Sequence, residues 1–219
     1  MRTIVYVDGY NLYYGLLRKS PHKWLDLYSL FQNHVLDQAD VLEVRYYTAP
    51  IKEKMSDDSE SPQRQRIYLQ ALRKMPPCKV TIIEGRIEHS TPYRRLTNPI
   101  AGMPDTVQVS NFTEKKTDVN LATDMLCAAW LNHCEQIVLC SNDSDLESAL
   151  ARIREHHPNI RIGLVAPIKT HGDTSRKINS DLKKHVHWSK TLSLIHLQNA
   201  QLPQIIKTSP KRITKPQSW

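Results

Sequence analysis

The chain has 219 residues, of which 40% are hydrophobic and 24% are charged, so its length suits one globular domain with a small appendage. No stretch approaches the roughly 20 apolar residues that cross a bilayer, which argues against a membrane-spanning protein. The net charge of +8 and the pI near 9.3 favour a polyanionic partner. Nucleic acid is the leading candidate, ahead of an acidic membrane surface, because no clear basic amphipathic helix stands out.

The N-terminal segment and the cysteines bear on the cellular compartment. The segment MRTIVYVDGYN has an apolar run too short for a signal peptide, so we expect a cytoplasmic protein. The cysteines lie in or beside apolar elements without a CxxC pair, which favours buried structural thiols over a zinc site: Cys78, Cys127, Cys134 and Cys140.

The first half of the chain alternates between strand and helix patterns. Residues 3–7 (TIVYV) form a short β-branched run that is typical of a buried parallel strand. Further strands are predicted over 41–48 and 79–84, and helices over 11–18, 26–36 and 62–75, the last with Pro62 near its first turn.

The same alternation continues in the second half. Helices are predicted over 117–131, with Thr117 as the N-cap, over 143–155 and over 176–182, and strands over 136–140 and 160–165. Strands that alternate with helices indicate an α/β fold, with a parallel central sheet flanked by helices on both faces.

Two segments do not fit this alternation. Residues 85–113 contain several prolines and little periodicity, which indicates a long irregular segment of the functional or mobile kind. Residues 191–219 are basic and contain prolines, and beyond about residue 200 we expect a flexible tail. The predicted organisation is therefore a domain over 1–190 followed by this C-terminal tail.

Acidic residues follow the predicted strands at one edge of the sheet. Asp8 comes directly after the first strand, Asp143 and Asp145 follow strand 136–140, and Asp118 opens a helix. Each could be an ordinary acid in a first helical turn. That interpretation fits Asp8 less well, because a carboxylate at the end of a buried strand is unfavourable in free energy unless a cation compensates its charge. In open parallel sheets, ligands bind outside the carboxyl ends of the strands.

Several neighbouring carboxylates cannot all stay ionised without a compensating charge, and their hard oxygen atoms select Mg²⁺ or Mn²⁺. An acidic pit in a basic protein suggests phosphodiester chemistry, in which metal ions activate a water molecule for in-line attack. We therefore predict one metal-dependent catalytic site made of Asp8, Asp118, Asp143 and Asp145.

Other residues are predicted to support this site or to contact substrate. Asp124 lies further along the helix of Asp118, and Glu147 lies one turn after Asp143. Asn11 and Asn142 could hold phosphate or orient an acid, although Asn142 could equally be a helix cap. Lys116 could face the scissile phosphate, although a solvated basic turn is the alternative.

Three motifs in order, VDGYNLYYGL (7–16), EKKTDVNLATDM (114–125) and LCSNDSDLESAL (139–150), resemble the NYN domain family, specifically its LabA-like branch. The resemblance spans about residues 1–188 and excludes the tail. It implies a PIN-like α/β fold and Mg²⁺- or Mn²⁺-dependent endoribonuclease activity, with acids at Asp8, Asp118, Asp143 and Asp145. Its motifs do not cover Tyr93, Arg94 and Arg95.

Other functions stay open beside a ribonuclease. The chain could be a non-catalytic RNA-binding or regulatory module with a structural metal site, or a toxin of a toxin–antitoxin pair that uses the same nuclease site. A homo-oligomer or a regulatory protein partner is also compatible with the sequence. An aspartyl-phosphate phosphatase is disfavoured because Tyr10 stands where a second acid belongs. A dinucleotide-binding fold is disfavoured because no GxGxxG follows the first strand.

Overall fold

The structure is a computed structural model that describes residues 1–55, 58–102, 104–169, 176–209 and 211–219. The strands are, in chain order, β1 (Arg2–Asp8), β2 (Asp40–Thr48), β3 (Val80–Glu84), β4 (Arg86–Ser90), β5 (Tyr93–Arg95), β6 (Thr106–Gln108), β7 (Asn111–Lys115), β8 (Gln136–Cys140), β9 (Arg161–Ala166), β10 (Trp188–Thr191), β11 (Ile205–Lys207) and β12 (Arg212–Thr214).

The first six helices follow the predicted order with shifted ends, and a seventh, which was not predicted, lies in the C-terminal segment. They are α1 (Gly9–Leu12), α2 (Leu27–Ser29), α3 (Ser61–Lys74), α4 (Thr117–Trp130), α5 (Glu147–His156), α6 (Ser180–Lys183) and α7 (Leu194–Asn199). α1 and α2 continue as π-helical turns over Tyr13–Leu17 and Leu30–Val35, and short 3₁₀ turns cover Glu53–Met55 and Ser144–Leu146. The predicted last helix over 176–182 is thus observed only over Ser180–Lys183.

The central sheet has six strands in the order β10-β9-β8-β1-β2-β3, and every neighbouring pair is parallel. β1 lies in the middle and is buried on both faces. Val5 and Val7 pack into one core with α1, α2, α3 and α7, whereas Ile4 and Tyr6 pack into a second core with α4, α5 and α6. The predicted α/β fold with helices on both faces is confirmed.

The prediction that residues 85–113 are irregular is wrong for the described part of that segment, which excludes residue 103. β4 pairs antiparallel with β7, and β5 pairs antiparallel with β6, so the chain leaves the sheet after β3 as a two-stranded ribbon and returns into α4. The strands are short and mostly exposed. Because a solvated ribbon needs no apolar alternation, the sequence pattern gives little sign of it.

The prediction of a flexible tail over 191–219 is wrong for the described part of that segment; residue 210 lies outside it. Leu197, Leu202, Ile206 and Ile213 are all buried in the core on the α1 side of the sheet. β11 and β12 pair antiparallel, and the Trp24 Nε1 atom donates a 2.9 Å hydrogen bond to the Pro203 carbonyl. The lack of acidic residues and the three prolines favour a flexible tail, but a few well-spaced apolar residues suffice to anchor the segment.

Two adjacent isoleucines test this anchoring. Ile206 is 4% exposed and Ile205 is 49% exposed. We expect Ile206→Ala to lower the free energy of unfolding by about 3 kcal/mol, since it leaves a cavity in the core, and Ile205→Ala to lower it by about 0.5 kcal/mol or less. Urea denaturation measures both. Equal small effects would mean that the segment does not pack as described.

Within the described ranges, no helix is both long and apolar enough to cross a membrane.

Candidate active site

The predicted acids converge at the carboxyl edge of the sheet, where β1 and β8 lie side by side. Val7 pairs with Cys140 at the ends of these strands, so Asp8 and the turn after β8 emerge next to each other. The chain order runs outward from β1 to β3 on one side and from β8 to β10 on the other. Such a point of divergence opens a crevice between the two connections, and it is the usual ligand site of a parallel sheet.

Asp8 is the last residue of β1 and is only 3% exposed. Its Oδ1 atom accepts a 2.9 Å hydrogen bond from the backbone N–H of Asn11, which caps α1. Its Oδ2 atom accepts a 2.9 Å hydrogen bond from the Ser141 hydroxyl. Both carboxylate oxygens are thereby oriented by the protein, and each keeps a further lone pair for a ligand.

Asp143 and Asp145 lie in the turn between β8 and α5. Asp143 caps the 3₁₀ turn over Ser144–Leu146, with its Oδ1 atom accepting a 3.1 Å hydrogen bond from the Asp145 N–H. The backbone N–H of Asp143 donates to the Ser141 hydroxyl at 3.1 Å. Asp143 is half-buried and Asp145 is exposed. The turn therefore presents one fixed acid and one more accessible acid.

Ser141 is a site residue that the sequence analysis missed. It is fully buried, and its hydroxyl joins Asp8 to the backbone of Asp143. A serine in a turn between a strand and a helix is common, so its position alone gave no signal. Only the pairing of β1 with β8 shows that this hydroxyl reaches the acid of a distant segment.

Asp118 approaches from the ribbon, in the first turn of α4. Lys116, with φ 78°, occupies the N-cap position in place of the predicted Thr117. A non-glycine residue rarely adopts this left-handed conformation, which here turns the chain from β7 into α4. Glu114 is held at this turn by hydrogen bonds from the backbone and hydroxyl of Thr117. Glu114 is a further acid that the sequence analysis did not single out.

The charges of these acids act on one another. Burial raises the pKa of Asp8; hydrogen bonds from the Asn11 N–H and the Ser141 hydroxyl oppose the rise, and the charges of Asp143 and Glu114 add to it. Burial also raises the pKa of Asp118 to about 6, and the charges of Asp8, Glu114, Asp143 and Asp145 contribute. The four predicted acids and Glu114 therefore share one electrostatic environment of surplus negative charge.

Asn11 and Asn142 link the segments that carry the acids. The Asn11 Oδ1 atom accepts a 3.0 Å hydrogen bond from the backbone N–H of Asn142. The Asn142 side chain accepts a 2.8 Å hydrogen bond from the Asn179 N–H and donates one of 3.2 Å to the Lys177 carbonyl. The two amides thus fix the turn after β8 to α1 and to the segment before α6.

Asp124 and Glu147 have partners other than the predicted acids. The Asp124 Oδ2 atom accepts a 2.7 Å hydrogen bond from the Tyr47 hydroxyl and lies 4.0 Å from the Arg45 guanidinium. The Glu147 Oε1 atom lies 3.1 Å from His185 Nε2. Lys116 is exposed beside Asp118 in the chain. Lys116 and Glu147 each lie two residues from an acid of the cluster, Asp118 and Asp145, whereas Asp124 lies six residues beyond Asp118.

A substitution of Asp124 distinguishes a role in stability from a role in catalysis. Asp124→Ala leaves the Tyr47 hydroxyl without its acceptor, and we expect a loss of about 1 kcal/mol in the free energy of unfolding. Because its contacts are with β2, any RNA cleavage should be retained. Tyr47→Phe in a double-mutant cycle measures the coupling between the two side chains. A loss of cleavage as deep as that of an Asp8 variant would contradict the structural role.

A divalent cation fits the chemistry of this cluster. Within the described residues, no group of three or more Asp, Glu, His and Cys side chains is arranged to hold a metal ion as it stands. The donors are carboxylates whose charges disfavour one another. Hard oxygen donors in this state suit Mg²⁺ or Mn²⁺, which would relieve the repulsion. Asp8, Asp118, Asp143 and Asp145 are the residues that could hold the ion.

Comparisons with known proteins give a matching family, a similar curated protein and a similar solved structure. A family model described as NYN domain matches residues 2–186. The chain is 34% identical over 242 residues to 6-hydroxy-3-succinoylpyridine 3-monooxygenase HspA of Pseudomonas putida, covering 100% of this chain and 75% of that protein. A solved structure of a protein of unknown function from Vibrio parahaemolyticus is similar with a TM-score of 0.49 and 15% identity, covering 88% of this chain and 93% of that one.

Proposed function

Because the chain belongs to the NYN domain family, as its motifs predict, we propose that it is a metal-dependent endoribonuclease. The observation that carries the proposal is the convergence of Asp8, Asp118 and Asp143 beside the ends of β1 and β8. At this point the chain connections from the two strands run to opposite sides of the sheet. Burial and mutual repulsion raise the pKa values of Asp8 and Asp118. Among the described residues, the hydrogen bonds to the Asp8 carboxylate come from the Asn11 N–H and the Ser141 hydroxyl, neither of which is a cation. The preference for RNA over DNA rests on the family resemblance.

The proposed site binds Mg²⁺ or Mn²⁺ through Asp8, Asp118, Asp143 and Asp145. A bound ion of this kind supplies an activated water molecule and stabilises charge on the attacking and leaving oxygens. Ser141 and the Asn11 N–H hold the Asp8 carboxylate in one orientation. The exposed Lys115 and Lys116, which precede Asp118, are proposed to contact phosphate groups of the substrate.

The direct test is cleavage of single-stranded and structured RNAs by the purified chain in Mn²⁺, with EDTA as the control and the product ends mapped. Water as the attacking group predicts 5′-phosphate and 3′-hydroxyl ends. A 2′,3′-cyclic phosphate would instead implicate the RNA's own 2′-hydroxyl. RNA that is bound with salt-dependent affinity but never cut would favour the non-catalytic binding module. If expression of the chain arrests growth, and variants that no longer cleave RNA do not, the toxin hypothesis is favoured.

A second candidate function comes from the relative named as a monooxygenase, since the identity of 34% extends over this entire chain. We propose that, if RNA is not the substrate, the chain oxygenates a small aromatic acid. The test supplies 6-hydroxy-3-succinoylpyridine, O₂ and a two-electron donor, and follows substrate loss by mass spectrometry. Substrate loss that requires both O₂ and the electron donor, with one oxygen atom from ¹⁸O₂ found in the product, supports this candidate. Unchanged substrate rejects it for that compound.

A further inference from the structure

A cavity of about 440 Å³ lies beside the acid cluster but is lined by other residues. One wall is the first helix and its π-helical continuation, and the opposite wall is the end of β2 and the first turns of α3. This volume falls within the range of roughly 300–1,000 Å³ that is usual for small-molecule sites. The cavity is therefore large enough for a ligand of one or two rings.

Several aromatic side chains line this cavity. Tyr13 and Tyr14 meet edge to face with centroids 5.2 Å apart, and Tyr68 meets Trp219 at 5.5 Å with a 60° angle between the rings. Tyr46 joins Tyr68 at 6.4 Å in a T-shaped contact. Tyr46 and Tyr68 are buried, whereas Tyr13 and Trp219 are half-buried and Tyr14 is exposed, so these three rings can contact a further planar ring. The cavity is thus suited to an aromatic ligand.

Cations give the cavity a positive potential. Arg18, Lys23 and Arg64 line it together with Asp58. Arg64 is paired with Asp58 and Glu60, whereas Arg18 and Lys23 form no ion pair within the described residues. The Arg18 guanidinium carbon lies 5.5 Å from the centroid of the Tyr14 ring. A positive charge beside an aromatic face therefore remains available for an anionic group.

The cavity comes nearest to the acids in the chain at Gly9, which lines it and directly follows Asp8. Gly9 packs so closely against Tyr46, which also lines the cavity, that a Cβ atom at Gly9 would meet the Tyr46 Cζ atom at 2.8 Å. None of Asp8, Asp118, Asp143 and Asp145 lines the cavity. The cavity is therefore a separate site, next to the acid cluster rather than inside it.

We propose that this cavity binds a planar aromatic ring that carries one anionic group. The ring packs against Tyr13, Tyr14 and Trp219, and the anion lies near Arg18 and Lys23. Two sources share this chemistry: a free aromatic carboxylate, and a nucleotide with its base in the cavity and its phosphate on the cations. The inference depends on neither proposed activity, because it concerns binding by residues that the acid cluster does not use.

Isothermal titration of the full chain tests the proposal with 4-hydroxybenzoate, its neutral counterpart 4-hydroxybenzyl alcohol, uridine 5′-monophosphate and inorganic phosphate. We expect saturable binding of 4-hydroxybenzoate or uridine 5′-monophosphate, and binding about tenfold weaker, or none, for the alcohol and for phosphate alone. Binding of the carboxylate alone identifies a free small molecule as the source. Binding of the nucleotide, in competition with a short RNA, identifies nucleic acid.

Variants assign the binding to this cavity. Arg18→Gln with Lys23→Gln should weaken binding of the charged probe by about tenfold and leave the neutral one unchanged. Tyr13→Leu should weaken both by about fivefold. Lys211→Gln removes an exposed cation outside the cavity and should change nothing. Circular dichroism checks that each variant folds. Binding of neither probe, or binding unaffected by the Arg18 and Lys23 changes, would overturn the proposal whether or not RNA is cleaved.

Discussion

Asp8→Asn and Asp143→Asn are expected to abolish metal-dependent RNA cleavage while the protein stays folded. Each change removes one proposed ligand charge and keeps nearly the same shape. Loss of a residue that only orients a metal ligand typically costs about 10–100-fold in affinity or activity, so loss of the ligand itself should cost at least about a hundredfold. Asparagine is tolerated at position 8, because burial already disfavours the charged form of Asp8. Cleavage rates at saturating Mn²⁺ measure the effect.

Asp37→Asn is the matched control for these variants. Asp37 is exposed and precedes β2, so it lies at the opposite end of that strand from the acid cluster. The Asp37→Asn variant should cleave RNA at the wild-type rate. Ser141→Ala adds a graded test, since it removes the hydroxyl that orients Asp8, and we expect a loss of about tenfold. Unchanged cleavage by both Asp8→Asn and Asp143→Asn would rule out the acid cluster as the nuclease site.

Asp118→Asn is expected to stabilise the metal-free protein at pH 7. The pKa of Asp118 is raised to about 6, so the folded state binds its proton more tightly than the unfolded state does. At a pH below the pKa of Asp118 in the unfolded chain, the carboxyl is protonated in both states and does not lower the free energy of unfolding. As the pH rises to about 6, the unfolded chain ionises more readily than the folded protein, so the free energy of unfolding falls. Because the carboxyl is half-exposed, solvent screening limits the gain to about 1 kcal/mol.

The measurement is the difference in unfolding free energy between wild type and Asp118→Asn in EDTA at pH 4 and pH 7. The difference should be near zero at the lower pH and favour the variant at the higher one. Added Mn²⁺ should then raise the melting temperature of the wild type and leave that of the variant nearly unchanged. A variant that is less stable than wild type at pH 7 without metal would contradict the repulsion between these acids.

Local sequence patterns predicted the sheet because its central strands are buried on both faces. The run 3–7 and the run 136–140 are continuous and apolar, and both are observed as adjacent parallel strands. The same reasoning placed Asp8 and Asp143 together, since residues that follow parallel strands emerge at one edge. These predictions needed only chain order and apolar character.

The missed features depend on contacts between distant segments. Ser141 and Glu114 have ordinary local contexts, and their importance comes from Asp8, to which Ser141 donates a hydrogen bond and whose pKa the charge of Glu114 raises. The C-terminal segment has no acidic residue and contains three prolines, a composition that favours a flexible tail. Ile206 and Ile213 are nevertheless buried there through pairing of β11 with β12. Composition alone cannot reveal such pairing.

The central claim is that the acids form one divalent-metal site, and a calorimetric titration with Mn²⁺ tests it most directly. Wild-type protein and Asp37→Asn should bind Mn²⁺ saturably and with the same affinity, and Asp8→Asn and Asp118→Asn should bind it at least about a hundredfold more weakly. Mg²⁺ should compete for the same site. Equal Mn²⁺ affinity in the wild type and both acid variants, or no saturable binding by the wild type, would contradict the claim.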